Sequence, residues 1–331
     1  MKHRKPGGYS EPSPATYIVQ ASGLTSREVY QYADGRQESV LRGVYLEIRR
    51  GECWGVIGNE AFELELLTQI IGNVRPYGSG RCVLVERGMM RKKRRILPHV
   101  FYISGGDTVP GNLNTLEYLM YVTAHFDTPG CERQVAILEM LLQTELYHLT
   151  LVPIKYLSAA EKAVVCLLAA GLSRALLVIF SVPELSFDPK LSKGIRHIAN
   201  RIAGRGGALL IASRDCDMAQ TACDHAAFLI NGKLTQRGTM DELLTYLDRR
   251  AYILENETPE ALAGALGRVR PDWILRVFER EVHVYSQNTE KVAETEMLDA
   301  LLAAGQTVDA LQTSKRTLKN AYREVLAGHA L

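Results

Sequence analysis

The chain has 331 residues, 47% of them apolar and 23% charged, with a net charge of +2. That balance describes a globular protein with room for one large domain and a smaller one. It excludes a chain whose charge alone would drive it onto nucleic acid or an anionic membrane. No stretch approaches the roughly 18 uninterrupted apolar residues of a transmembrane helix. Residues 1–15 read as a flexible tail: the start is basic, but Tyr9 to Ala15 is polar and Pro-rich and lacks the apolar segment of a signal peptide. Six scattered cysteines form no C-x-x-C pair and read as reduced, structural thiols of a cytosolic protein.

Tyr17 to Ser22 and Val40 to Ile48 alternate apolar and polar residues, as half-exposed antiparallel strands do. An apolar strand, Cys53 to Ile57, runs into Gly58, and a helical stretch, Leu64 to Ile71, follows. Cys82 to Glu86 and Val100 to Ile103 are further short strands. From Leu113 to about Leu172 apolar residues recur at three- and four-residue spacing, which predicts helices. Ala175 to Phe180 and Ala208 to Ala212 are continuous apolar runs, suited to central parallel strands covered on both faces. The helical stretch Leu191 to Ile202 between them makes a right-handed crossover. Asn231-Gly232 between Phe228-Leu-Ile and Lys233-Leu-Thr is a two-residue hairpin signal. Beyond residue 248 short strands (Ala251 to Leu254, Leu275 to Tyr285) alternate with amphipathic helices (Pro259 to Leu266, Ser314 to Leu326), a small α/β appendage without a catalytic signature.

The stretch after Gly58 sits where a phosphate-binding loop belongs. A loop of the form G-x-x-x-x-G-K-[ST] cradles phosphates with backbone N–H groups and a Lys, and its Ser/Thr holds Mg²⁺. Here nothing between Gly58 and Gly72 is glycine, the loop reads one residue short, and the Lys and Ser/Thr places fall on Glu63 and Leu64.

The order of elements over roughly residues 17–248 resembles the nucleotide-binding subunit of ATP-binding cassette (ABC) transporters. Leu157-Ser158-Ala159-Ala160-Glu161 falls where that family carries its Leu-Ser-Gly-Gly-Gln signature. The spacing from there to the Walker B Asp position, Ser181, matches without a gap. Pro183 and Phe187-Asp188-Pro189 match the Pro and D-loop that follow, Asn112 to Leu119 the segment after the Q-loop, and Asn231 to Leu243 the closing hairpin and helix. The resemblance implies an α/β, P-loop NTPase-like fold: a parallel core sheet flanked by helices, an antiparallel β subdomain and a helical subdomain at about 106–172, all within 16–248. Residues 249–331 follow as a C-terminal α/β extension.

The departures from the family fall on the atoms that do chemistry. Ser181 replaces the metal-holding Asp and Val182 the Glu that polarises water, and valine can do neither acid nor base work. Arg214 replaces the switch His and cannot deprotonate. Gly105 stands at the Q-loop Gln and has no side chain to reach a metal. Glu63 in place of Lys changes the local charge by two units beside a triphosphate. Even at an effective dielectric of about 20, one unit pair at about 4 Å is worth about 4 kcal/mol, or about a thousandfold in binding. Catalytic residues and a metal site are therefore not expected, nor a nucleotide tightly bound by this chain. What remains is a vestigial Gly58, an aromatic for adenine stacking (Tyr30 or Tyr32), the D-loop Asp188, and Ser158, Ala159 and Ala160 facing a nucleotide on a partner.

These readings imply a catalytically degenerate ABC subunit at the inner face of a membrane. It docks on a permease and pairs with a second cassette that supplies Mg-ATP. One rival is an active ATPase in which Glu60, Glu63, Glu65 or Glu184 replace the lost acids. Another is a soluble scaffold with the same fold. The basic run Met89 to Arg95 reads as a solvated loop without interleaved aromatics, so no nucleic-acid partner is expected. Arg214 reads as a surface ion pair by default, with Asp215, Asp217 or an anion as alternative partners. His99, His197 and His225 read as structural or exposed.

Overall fold

The computed structural model describes residues 17–33, 35–85, 87–88, 99–105, 109–125, 129–245, 252–286, 292–313 and 317–329. The expected tail at 1–15 and the basic run Met89 to Arg95 lie outside the described residues. The chain divides into two compact units, residues 1–235 and 236–331.

In the first unit, strands β1 (Tyr17–Thr25) and β4 (Val44–Arg49) pair antiparallel, and β6 (Ser79–Leu84) joins the other side of β1. Strand β4 buries Val44, Leu46 and Ile48 and exposes the residues between them. That is the period-2 pattern of a sheet with one dry face. A short hairpin, β2 (Val29–Gln31) and β3 (Gln37–Ser39), forms its own two-stranded sheet, and β7 (Arg87–Gly88) ends the first one.

The central sheet has six strands in the order β12-β11-β5-β10-β9-β8. Its parallel members are β5 (Cys53–Gly58), β8 (Val100–Ser104), β9 (Leu177–Ser181), β10 (Ala208–Ser213) and β11 (His225–Ile230). Every residue of β5, β9 and β10 is buried, because helices cover both faces. On one face Trp54 and Val56 join Leu64, Leu67 and Ile71 of α1 (Ala61–Ile71) in a single core. On the other face Gly55 lies against Ala219 of α6 (Cys216–Ala222) and Cys223 just beyond it; an added Cβ would stand 3.2 Å from the Cys223 sulfur. The crossover from β9 to β10 is α5 (Pro189–Gly204), which buries Leu191, Ile195, Ile198 and Ile202 along one stripe. The helical region holds α2 (Thr115–Val122), α3 (Gly130–Gln143) and α4 (Ala159–Leu172). The turn between β11 and β12 (Lys233–Thr239) is Asn231-Gly232, both at positive φ (49° and 72°), as the Asn-Gly signal requires.

The second unit contains α7 (Met240–Thr245), β13 (Tyr252–Glu255), α8 (Pro259–Val269), β14 (Trp273–Phe278), β15 (Glu281–Ser286), α9 (Glu294–Ala304), β16 (Ala310–Thr313) and α10 (Leu318–His329). Its antiparallel sheet runs β14-β15-β13-β16, the split β-α-β arrangement, over a core of Tyr252, Leu262, Trp273, Val284 and Met297. Two expectations change here. The single strand read at Leu275 to Tyr285 is a tight hairpin that turns at Glu279-Arg280. The division falls inside β12 rather than near residue 248, because α7 packs against α10.

Candidate functional site

Strand β5 ends at Gly58 and α1 begins at Ala61, so only Asn59 and Glu60 connect them. This connection is shorter than the multi-residue glycine-rich loop that wraps backbone N–H groups around phosphates. Gly58 has a packing reason to be glycine. It faces Leu229 across the β5–β11 ladder, and a Cβ would meet the Leu229 carbonyl at 3.0 Å. Gly72, just past α1, lets Tyr102 close in, since a Cβ there would stand 2.9 Å from the ring.

Glu63 lies in the first turn of α1 and is only 3% exposed. Its carboxylate accepts the Gly232 N–H at 2.9 Å and the Tyr30 hydroxyl at 3.4 Å. Burial raises the Glu63 carboxyl, while the Gly232 N–H and the Tyr30 hydroxyl pull it down. Burial and the Glu63 and Glu60 charges push the Tyr30 phenol up to about 12. Leu64 is fully buried in the core. Tyr32 is exposed, with the Arg36 guanidinium 5.9 Å above its ring. Of the two aromatics, only Tyr30 has its hydroxyl on Glu63.

Ser181 at the end of β9 is buried, and its hydroxyl lies 2.9 Å from that of Thr68 on α1. The Thr68 hydroxyl is also 3.3 Å from the Tyr102 phenol and 2.8 Å from the Glu65 carbonyl. This hydroxyl cluster joins β9, β8 and α1, and each member can both donate and accept. Val182 is buried, and its N–H donates to the Ala212 carbonyl at 2.9 Å. Gly105 has a left-handed φ of 37°, and its N–H donates to the Ser181 carbonyl at 3.4 Å.

Arg214 pairs with Glu184 at 3.6 Å, which replaces the expected neighbours Asp215 and Asp217. Both side chains are more than half exposed, so the pair contributes little. Asp215 instead accepts the Met218 and Phe187 N–H groups, each at 2.9 Å, tying the start of α6 to the segment before α5. Asp188 caps α5, accepting the Lys190 and Leu191 N–H groups at 2.8 Å. Ser158 caps α4 in a reciprocal box: the Glu161 carboxylate accepts the Ser158 N–H and hydroxyl at 2.8 Å, and the Glu161 N–H donates back to Ser158 at 3.2 Å. The chain's own carboxylate therefore sits where Ala159 and Ala160 open the helix. These bonding roles of Gly232, Thr68, Tyr102 and Glu161 are not among the sequence expectations. Only the Ser158-x-x-Glu161 spacing signals its bond in advance.

No protein-family model matches the sequence. The chain is 25% identical over 233 residues to a putative ABC transporter ATP-binding protein of Nostoc sp., covering 69% of this chain and 84% of that protein. It is 27% identical to the methionine import ATP-binding protein MetN of Streptomyces coelicolor, over 69% of this chain and 67% of MetN. Among solved structures it superposes on CbiO1 from Clostridium perfringens, part of the ABC transporter complex CbiONQ. The TM-score is 0.56 at 20% identity, over 70% of this chain and 92% of CbiO1. The chain has the fold of an ABC cassette, and its sequence is similar to ABC transporter ATP-binding proteins.

The cassette fold implies Mg-ATP at the loop after β5. The residues present do not fit that group. The connection has two residues, a buried carboxylate stands at the Lys position, and Leu64 is core. At the end of β9 a hydroxyl in a hydroxyl cluster replaces a metal-binding carboxylate.

Proposed function

We propose that this cassette is a non-hydrolysing subunit of an ABC transporter, seated on a membrane permease at the inner face of the membrane. It pairs there with a second cassette that carries Mg-ATP, and transmits that partner's movement through a frame that loads no nucleotide itself. The observation that carries this reading is Glu63. A carboxylate at the expected Lys position, buried and bonded to Gly232 and Tyr30, repels a triphosphate.

Docking on a permease draws support from the helical region. Backbone bonds from Thr115 and Leu116 to the Val152 and Thr150 carbonyls knit the start of α2 to the segment before α4. Beside this seam Tyr121, Leu151 and Tyr156 are each more than two-thirds exposed. Large apolar groups left in water on one region favour a protein partner. Among the described residues no helix is long and apolar enough to cross a membrane.

Equilibrium binding of radiolabelled ATP to the purified chain, with and without Mg²⁺, tests the central claim together with a phosphate-release assay. The expected result is no saturable binding up to about 1 mM nucleotide, the weak end of the affinity range, and no turnover. Micromolar, Mg-dependent binding with turnover would overturn it and favour the rival ATPase.

A further inference from the structure

In addition to excluding nucleotide, the Glu63 carboxylate joins three segments far apart in sequence. Its own helix α1 is one, the β2–β3 hairpin is reached through Tyr30, and the β11–β12 turn through Gly232. The turn is gripped from its other side as well. The Arg42 N–H donates to the Gly232 carbonyl at 2.8 Å, and the Arg42 guanidinium reaches the Asn231 carbonyl and Glu38 of β3. There is no slack: a Cβ on Gly232 would fall 1.9 Å from the Val40 carbonyl.

We propose that Glu63 is an internal clasp that holds the β2–β3 hairpin, the start of α1 and the β11–β12 turn in one arrangement in the absence of any nucleotide. This rests on the reading that the cassette does not load Mg-ATP. A two-stranded hairpin such as β2–β3 is marginal alone in water and needs an outside anchor. Tyr30 and Glu38, one on each strand, supply it, through Glu63 and Arg42. At the turn, Gly232 donates into a buried site, so loss of its acceptor leaves an unpaired N–H that reorganises the turn. The cassette thereby keeps this end of its sheet ordered through its own side chain. Glu63 is a positioning residue.

Amide hydrogen exchange on the full chain, with and without Mg-ATP, tests the clasp. The wild type is expected to protect Gly232 and residues 28–40 equally in both conditions. Glu63→Ala is expected to speed exchange at Gly232 about tenfold and to loosen 28–40. Glu63→Gln keeps an acceptor and is expected to retain most of the Gly232 protection. Should Glu63→Ala fail to fold, Tyr30→Phe replaces it, with faster exchange confined to 28–40. Wild-type exchange rates at Gly232 and 28–40 in these variants would overturn the clasp. A change on adding Mg-ATP would instead overturn the nucleotide-free reading, because the clasp is measured in the nucleotide-free arm.

Discussion

Glu63 holds its position against a desolvation cost, and that cost has a sign that can be measured. Burial raises its carboxyl above the unfolded value of about 4.3, and the two hydrogen bonds oppose this only in part. A raised folded pKa means that the native state binds the proton more tightly than the unfolded chain. This contribution is fully present below the unfolded pKa and is lost as pH rises through the raised folded value. Thermal melts from about pH 4.5 to about pH 7.5 should therefore show the wild type losing stability relative to Glu63→Gln as pH rises. The difference between the two proteins isolates this site from every other titrating group. A difference that stays flat with pH would show that the carboxyl is solvated in the native state. The sequence singles out Glu63 as standing where a phosphate-binding Lys is expected, but not its bonding. Gly232 lies 169 residues away, and no local pattern specifies that an α1 side chain reaches a hairpin turn.

Helix starts carry the local order of this chain, and their chemistry was more legible. Ser158-x-x-Glu161 reads as a capping box, and Asp188-Pro189 places a cap before a proline at the first helical position. At the element scale Asp188 holds two backbone donors of α5, a service independent of any partner's nucleotide. Asp188→Ala should lower stability by about 1 kcal/mol, and Asp188→Asn by much less, since asparagine caps nearly as well. Urea unfolding followed by far-UV circular dichroism reads both. Equal midpoints for wild type and Asp188→Ala would place the aspartate's role outside the helix. Strands were legible where both faces are covered, because β9 and β10 are unbroken apolar runs. The turn between β14 and β15 was missed because Glu279-Arg280 carries no glycine, proline or asparagine.

For the whole molecule, the order of motifs was visible because spacing survives when chemistry does not. The fold rests on apolar periodicity, whereas the site's wiring rests on side chains that meet only after the sheet has formed: Ser181 with Thr68, Asp215 with Phe187. The cysteines report on that packed interior. Cys53, Cys82, Cys216 and Cys223 are buried, Cys166 is half-buried, and Cys131 is exposed at the start of α3. The neighbouring Cys223 thiol and burial push Cys53 well up, and burial pushes Cys82 up to about 12. The thiolate is the species that reacts, so a buried thiol with a raised pKa is doubly slow. Brief treatment of the native protein with iodoacetamide should label Cys131 first and Cys166 more slowly. Cys53, Cys82, Cys216 and Cys223 should react only after denaturation, with peptide mass spectrometry assigning each site. Rapid native labelling of Cys53 or Cys223 would mean that the β5–β11 pairing opens readily. The proposed transmission of a partner's movement requires that pairing to stay closed.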